Sequence, residues 1–271
     1  MKLRRIAGAL GAEIEAVDLA ARLSPDAVAE IRRAFLEHQV IFFRDQPLAP
    51  AQFMAFARHM GRPIEYPFVK GIEGFAEVIE VRKLEHERQN FGGIWHSDTA
   101  YLAEPPMGSM LLAREVPPYG GDTEFASQYA AYEALSEGMR RLLDDLKAVN
   151  ASSKADATRT REDLTRQKEI VAEYVAEHPV VRTHPETGRK ALYVNVGHTV
   201  RFSGMSEEES APLLAFLFRH QVRPEFTCRF QWRAGSLAFW DNRCTQHNPV
   251  NDYHGHRRVM HRITLAGDKP R

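Results

Sequence analysis

His96 and Asp98 lie in the segment GGIWHSDTAY (92–101), an imidazole and a carboxylate two residues apart. On an extended backbone, residues i and i+2 point the same way about 7 Å apart at Cα, so both side chains can reach one cation. Alone the pattern is weak. A chain of 271 residues with 12 histidines and a similar number of aspartates yields about 0.5 chance matches to His-x-Asp. His247 supplies a third donor at the end of the apolar run LAFWDNRCTQHNPV (237–250). Two imidazoles and one carboxylate, without thiolate, form a facial donor set that suits Fe(II) and leaves one face of the metal open. The same donors could hold zinc in a hydrolase. Cys244 could imitate a Cys-x-x-His pair with His247, but a lone cysteine in an apolar strand is more often core.

Two arginines follow in RRVMHRITLAG (257–267). Read as a strand, this run puts Arg258 and Arg262 on one face at roughly 13 Å, with Arg257, Val259, His261 and Ile263 on the other. Inward-facing guanidinium groups are costly unless each meets an anion. That anion is either a structural carboxylate or a ligand, and His247 just upstream favours a ligand.

The elements that must position these residues can be read from periodicity and caps. SPDAVAEIRRAFLE (24–37) reads as a helix with Ser24 as N-cap and Pro25 at its first position. QVIFFRD (39–45) follows as a strand, and APAQFMAFARHMGRP (49–63) as a helix stopped by Gly61 and Pro63. AEVIEVRK (76–83) and MGSMLLAREV (107–116) are further strands. Residues 129–149 read as one amphipathic helix interrupted by Gly138, and 150–170 as a polar loop or a mobile lid over an active site. PVVRTHPETGRKALYVN (179–195) reads as two strands, and Ser206 to Glu209 as a capping box opening a helix to about His220. FTCRFQW and LAFWDN, joined by a turn at 233–236, read as a hairpin, and 257–267 as a last strand. The pattern is an antiparallel β core with flanking helices.

Composition narrows the class. Lysine plus arginine equals aspartate plus glutamate at 36 each, which gives no basic face for nucleic acid or a membrane surface. Cys228 and Cys244 are the only cysteines, too few for a disulfide framework or a four-sulfur metal site. No apolar window approaches the ~20 residues of a membrane span, and no signal-peptide pattern opens the chain. A cytoplasmic protein with one domain over 1–271 is the expectation.

GGIWHSDTAYLAEPP, GGDTEFAS and WDNRCTQHNPVNDYHGHRRVMHRITLAGDKP resemble the Fe(II)/2-oxoglutarate dioxygenases of the taurine dioxygenase and 2,4-dichlorophenoxyacetate dioxygenase family. The resemblance runs from ALGAEIEAVDLA to the terminal GDKP. It implies a double-stranded β-helix (jelly-roll) core and makes His96, Asp98 and His247 the Fe(II) ligands. Thr123 and Arg258 match the pair that holds the distal carboxylate of 2-oxoglutarate. Arg262 matches a second arginine, nearer the metal and in contact with cosubstrate or with the anionic end of the substrate. Trp240 matches an aromatic residue that flanks the metal. The implied reaction uses O2 to convert 2-oxoglutarate to succinate and CO2 while a substrate C–H is hydroxylated. Relatives of this kind are commonly dimers or tetramers, but nothing in the composition marks an interface.

The sequence also departs from the taurine enzymes. Tyr66 stands where they carry a histidine that helps bind sulfonate, and Gly92 where they carry an asparagine. Both changes point away from taurine and toward an aryloxyalkanoate, an alkyl sulfate or sulfonate, or another small acid. Tyr66, Val69, Phe91 and Tyr101 are the candidate pocket walls, with ordinary core packing as the alternative for each. Competing functions are a zinc hydrolase, which leaves Arg258 and Thr123 unexplained, and a jelly-roll binding or sensory protein. A halogenase would need an open position where Asp98 stands.

Overall fold

The computed structural model describes residues 1–154 and 173–271. Two facing sheets enclose the chemistry-bearing residues. The larger runs in the order β1 (Lys2–Arg5), β2 (Ala12–Glu15), β3 (Val40–Phe43), β14 (Leu237–Asp241), β6 (Gly108–Glu115), β16 (Arg258–Leu265) and β4 (Pro63–Ile64), and β5 (Val78–Lys83) also pairs with β16. The smaller is β13 (Thr227–Phe230), β7 (Thr123–Ser127) and β15 (Thr245–Pro249). Every pairing in the two sheets is antiparallel except β2 with β3.

Strand alternation sorts side chains into two cores. Ile41, Phe43, Met110, Leu112, Leu237, Phe239, Ile263 and Leu265 point out of the larger sheet toward α1 (Pro25–His38) and α2 (Pro50–Met60). Phe35 of α1 stacks on Phe239 at 3.9 Å between ring centres. Phe42, Leu111, Ala113, Ala238, Trp240 and Met260 point the other way and meet Phe125, Cys228 and Phe230 of the smaller sheet. Arg258 and Arg262 share this inner face with Met260 and are 6% and 4% exposed. A pair of buried cations between sheets marks the interior as a site rather than a plain core.

The expected ends of α1 hold: the Ser24 hydroxyl accepts from the Ala27 N–H, and Pro25 opens the helix. The capping box at Ser206 and Glu209 opens α5 (Glu207–His220), and β10 (Val181–Thr183) pairs with β11 (Lys190–Leu192) as read. Three expectations are corrected. Residues 129–149 are not one helix but α3 (Gln128–Glu133), α4 (Glu137–Asp144) and strand β8 (Lys147–Ala151). The first ends at Ala134, whose N–H returns to Ala130 C=O, Ser136 caps the second by accepting from Met139 N–H, and β8 is claimed by β9 (Val175–Pro179) and β12 (Thr199–Phe202). The segments at 226–232 and 237–242 make no hairpin, because β13 pairs with β7 and β14 with β3 and β6. Their connecting turn, closed by Ser236 N–H on Arg233 C=O, carries the chain from one sheet to the other. Finally, His96 forms only an isolated bridge, and Asp98 lies in a turn rather than a strand. Of the expected loop at 150–170, Asn150 and Ala151 finish β8, and 155–170 lie outside the described residues.

Candidate metal centre

His96 and His247 meet through their backbones. The His96 N–H donates to His247 C=O at 3.1 Å, and the His247 N–H returns to His96 C=O at 2.9 Å. Such a mutual pair is the close unit of an antiparallel ladder, and it puts the two rings side by side, 4.2 Å between centres. The Nε2 atoms lie 3.7 Å (His96) and 3.8 Å (His247) from Asp98 Oδ1. With metal–ligand bonds of about 2.1 Å, adjacent donors stand about 3 Å apart, so a slight closing of the three side chains seats an ion.

Protonation states suit this. His96 Nδ1 lies 2.7 Å from Ile94 C=O; a carbonyl can only accept, so Nδ1 carries the hydrogen and Nε2 keeps its lone pair. Burial, reinforced for His247 by the neighbouring His96, holds both imidazoles below their usual range and therefore neutral. Burial opposes ionisation of Asp98, but Arg262, followed by the two histidines and Ser109, outweighs it and holds the carboxyl well below the usual carboxylate range. Two neutral imidazoles and one anionic carboxylate, with Asp98 and His247 buried and His96 partly exposed, fit Fe(II).

Asp98 Oδ2 faces away from the histidines. It accepts from Ser109 Oγ at 2.7 Å and lies 2.8 Å from Arg262 Nη2. For Arg262 the structural-carboxylate alternative therefore holds, with a metal-ligand candidate as the carboxylate. The guanidinium also sits 5.1 Å from the centre of the Tyr66 ring, and its buried Nε has no hydrogen-bond partner among the described residues. Tyr66, Phe68, Val69, Ile79 and Tyr101 form one buried cluster around it, with Phe91 packed alongside.

Thr123 opens β7 of the smaller sheet and Arg258 opens β16 of the larger. With His96, His247, Trp240 and Arg262 they line a narrow cleft of about 40 Å³. Trp232 Nε1 donates to Thr123 Oγ1 at 3.0 Å and presents its ring 5.6 Å from the Arg258 guanidinium. Trp240 packs beside His247, its ring 4.8 Å from the imidazole.

Several residues were not visible as site residues in the sequence. His198 is 5% exposed and packs edge-on against His96 and Tyr101; burial, then His96, pushes its imidazole down to about 3. It sits in an unremarkable Gly-His pair before β12, where no spacing flags it. Ser109 and Asn242 behind Asp98 were likewise unmarked. Gly92 has φ +68, and a Cβ there would lie 2.9 Å from His96 Cε1, so this glycine leaves room for the His96 ring. Cys244 stands apart from the metal ligands, in a buried group with His184 and Asp241. Arg243 already engages both oxygens of Asp241 there, so that group is a satisfied ion pair.

The family model described as taurine catabolism dioxygenase TauD, TfdA family matches residues 2–264. The chain belongs to this family. As a TauD/TfdA dioxygenase it is similar to an alpha-ketoglutarate-dependent sulfate ester dioxygenase of Pseudomonas putida, 38% identical over 98% of this chain and 89% of that one. It is also similar to an alkylsulfatase of Acinetobacter baylyi, 38% identical over 99% of this chain and 86% of the relative. Among solved structures, AAD-2 in complex with Mn(II) and N-oxalylglycine superposes with a TM-score of 0.83 at 30% identity, covering 99% of this chain and 98% of AAD-2. The fold expected from the sequence, a jelly-roll core with flanking helices, is therefore the observed one.

Proposed function

We propose that this TauD/TfdA dioxygenase hydroxylates an alkyl sulfate ester, using Fe(II), 2-oxoglutarate and O2 and releasing succinate and CO2. The observation that carries the substrate class is Arg262 set against an apolar, aromatic wall. Its Nε, without a hydrogen-bond partner among the described residues, offers a buried cationic edge to an anionic head, and Tyr66, Phe68, Val69 and Tyr101 offer an alkyl chain a dry surface. The ammonium of taurine would have to give up its water against this apolar wall. The sulfate ester and alkyl sulfate relatives agree with this choice.

His96, Asp98 and His247 hold the metal in this account. Bound Fe(II), with O2 and 2-oxoglutarate, supplies the oxidising power. The chain's own residues do the positioning. Arg258 grips the distal carboxylate of 2-oxoglutarate with Thr123, whose hydroxyl is fixed by Trp232. Arg262 orients the sulfate head so that the neighbouring C–H faces the metal, and burial keeps water from the reacting atoms. A carbon bearing both the new hydroxyl and the sulfate oxygen collapses: the C–O bond to sulfate breaks, the hydroxyl proton leaves, and an aldehyde and sulfate result.

The balanced charge supports a small-molecule rather than a nucleic-acid partner, and among the described residues no helix is long and apolar enough to cross a membrane. We place the enzyme in the cytoplasm and read 1–271 as one catalytic domain. The test is succinate release from Fe(II), 2-oxoglutarate and O2 across alkyl sulfates, sulfonates, aryloxyacids, phosphonates and amino acids. Stimulation by alkyl sulfates above all others is expected. Equal stimulation by taurine would overturn the substrate class.

A further inference from the structure

Behind Asp98 lies a buried polar relay whose hydrogen-bond directions can be worked out completely. Asn242 Oδ1 receives two N–H groups, from Trp240 Nε1 at 3.0 Å and from the Asp98 backbone at 3.3 Å. Only an oxygen can accept from two N–H donors, which fixes the orientation of the amide. Asn242 Nδ2 must then be the donor to Ser109 Oγ, 3.2 Å away. Arg262 Nη2 also donates to Ser109 Oγ at 3.2 Å. Both acceptor positions of the Ser109 hydroxyl are thus filled, and its single hydrogen goes to Asp98 Oδ2 at 2.7 Å. Ser109 is fully buried, and Asn242 is 1% exposed, so water does not compete for these bonds.

We propose that Ser109 and Asn242 are positioning residues that keep Asp98 a one-oxygen metal ligand. The inference rests on the metal-site reading of His96, Asp98 and His247. Ser109 occupies Oδ2, Asn242 holds the Asp98 backbone, and only Oδ1 remains turned to the two Nε2 atoms. A carboxylate free to swing would chelate the ion with both oxygens and take a coordination position that 2-oxoglutarate or O2 needs. The strand order explains why these residues are in reach. Ser109 follows Gly108 at the start of β6 and pairs with Trp240 of β14, and Asn242 comes directly after β14.

The test is Mn(II) binding to the metal-free full-length chain by calorimetry, with no turnover involved. Ser109→Ala and Asn242→Ala are each expected to weaken Mn(II) binding by roughly 10- to 100-fold, the usual effect of removing an outer-shell partner. Ser109→Thr, which keeps the hydroxyl, is expected to restore most of that loss. A role limited to folding would lower the melting temperature of the metal-free protein and leave Mn(II) affinity unchanged. Parent-like affinity in both alanine variants would overturn the proposal. Should Ser109→Ala fail to fold, Ser109→Val gives the isostere of the threonine variant without its hydroxyl, and parent-like affinity there would overturn the proposal equally. A parent protein that binds no Mn(II) would instead overturn the metal-site reading itself.

Discussion

His96 and His247 exchange both backbone hydrogen bonds, at 3.1 and 2.9 Å, so the two imidazoles proposed as ligands come from one closed ladder step rather than from two independent loops. Asp98 joins them through a turn fastened to Asn242 and Ser109.

Loss of either ring should be felt first as loss of metal. His96→Ala and His247→Ala are expected to reduce Fe(II) or Mn(II) affinity by more than the roughly 100-fold upper range of outer-shell changes and to abolish succinate formation. Calorimetric titration alongside circular dichroism checks that the fold survives.

Arg258 is expected to act on the cosubstrate and not on the metal. Its charge-assisted grip is worth ~1.5–3 kcal/mol, so Arg258→Ala should raise the KM for 2-oxoglutarate by roughly 10- to 100-fold while Mn(II) affinity stays at the parent value. Thr123→Val should have a smaller effect in the same direction, and it also leaves Trp232 Nε1 without its acceptor.

Arg262 has two tasks, and its removal should show both. Arg262→Ala uncouples succinate formation from product formation, because the substrate head loses its cation. It also leaves Asp98 a buried, less compensated anion, a change that costs about 3–5 kcal/mol when one partner of a buried pair is removed. The expected result is a lower melting temperature together with poor coupling; normal coupling would take Arg262 out of the substrate site.

Acid should destabilise the metal-free protein early. His198, His96 and His247 all have folded pKa values below the unfolded 6.5, so below pH ~6.5 the unfolded chain takes up protons that the folded chain refuses. Each such histidine then removes up to ~1.4 kcal/mol of stability per pH unit. For His198 the loss continues to its folded value of about 3. Denaturant melts between pH 7 and pH 4 should show this fall, and His198→Gln should make it shallower.

The sequence pointed to the cluster of His96, Asp98 and His247 because His-x-Asp, a distant histidine and two arginines four apart form a joint pattern that chance seldom supplies. Caps made α1 and α5 legible, since Ser24 and Ser206 act within their own first turns. Elements decided by distant partners were not. The helical periodicity of 129–149 continues past Ser136 into Lys147–Ala151, yet strands β9 and β12 capture that last stretch. Local spacing around Arg233–Ser236 suits a hairpin equally well, and only the facing of two sheets separates β13 from β14. Ser109 looked like an ordinary strand residue because its partners, Asp98, Asn242 and Arg262, meet only in the folded chain.

The most direct measurement follows sulfate, succinate and O2 together, with an alkyl sulfate and the Fe(II)-loaded enzyme, in air and under anaerobic conditions. An oxidative cleavage that couples these residues to 2-oxoglutarate predicts equal amounts of sulfate, succinate and consumed O2, and none of the products without O2. Sulfate released anaerobically, or without 2-oxoglutarate, would contradict the account and make the same three ligands those of a hydrolase.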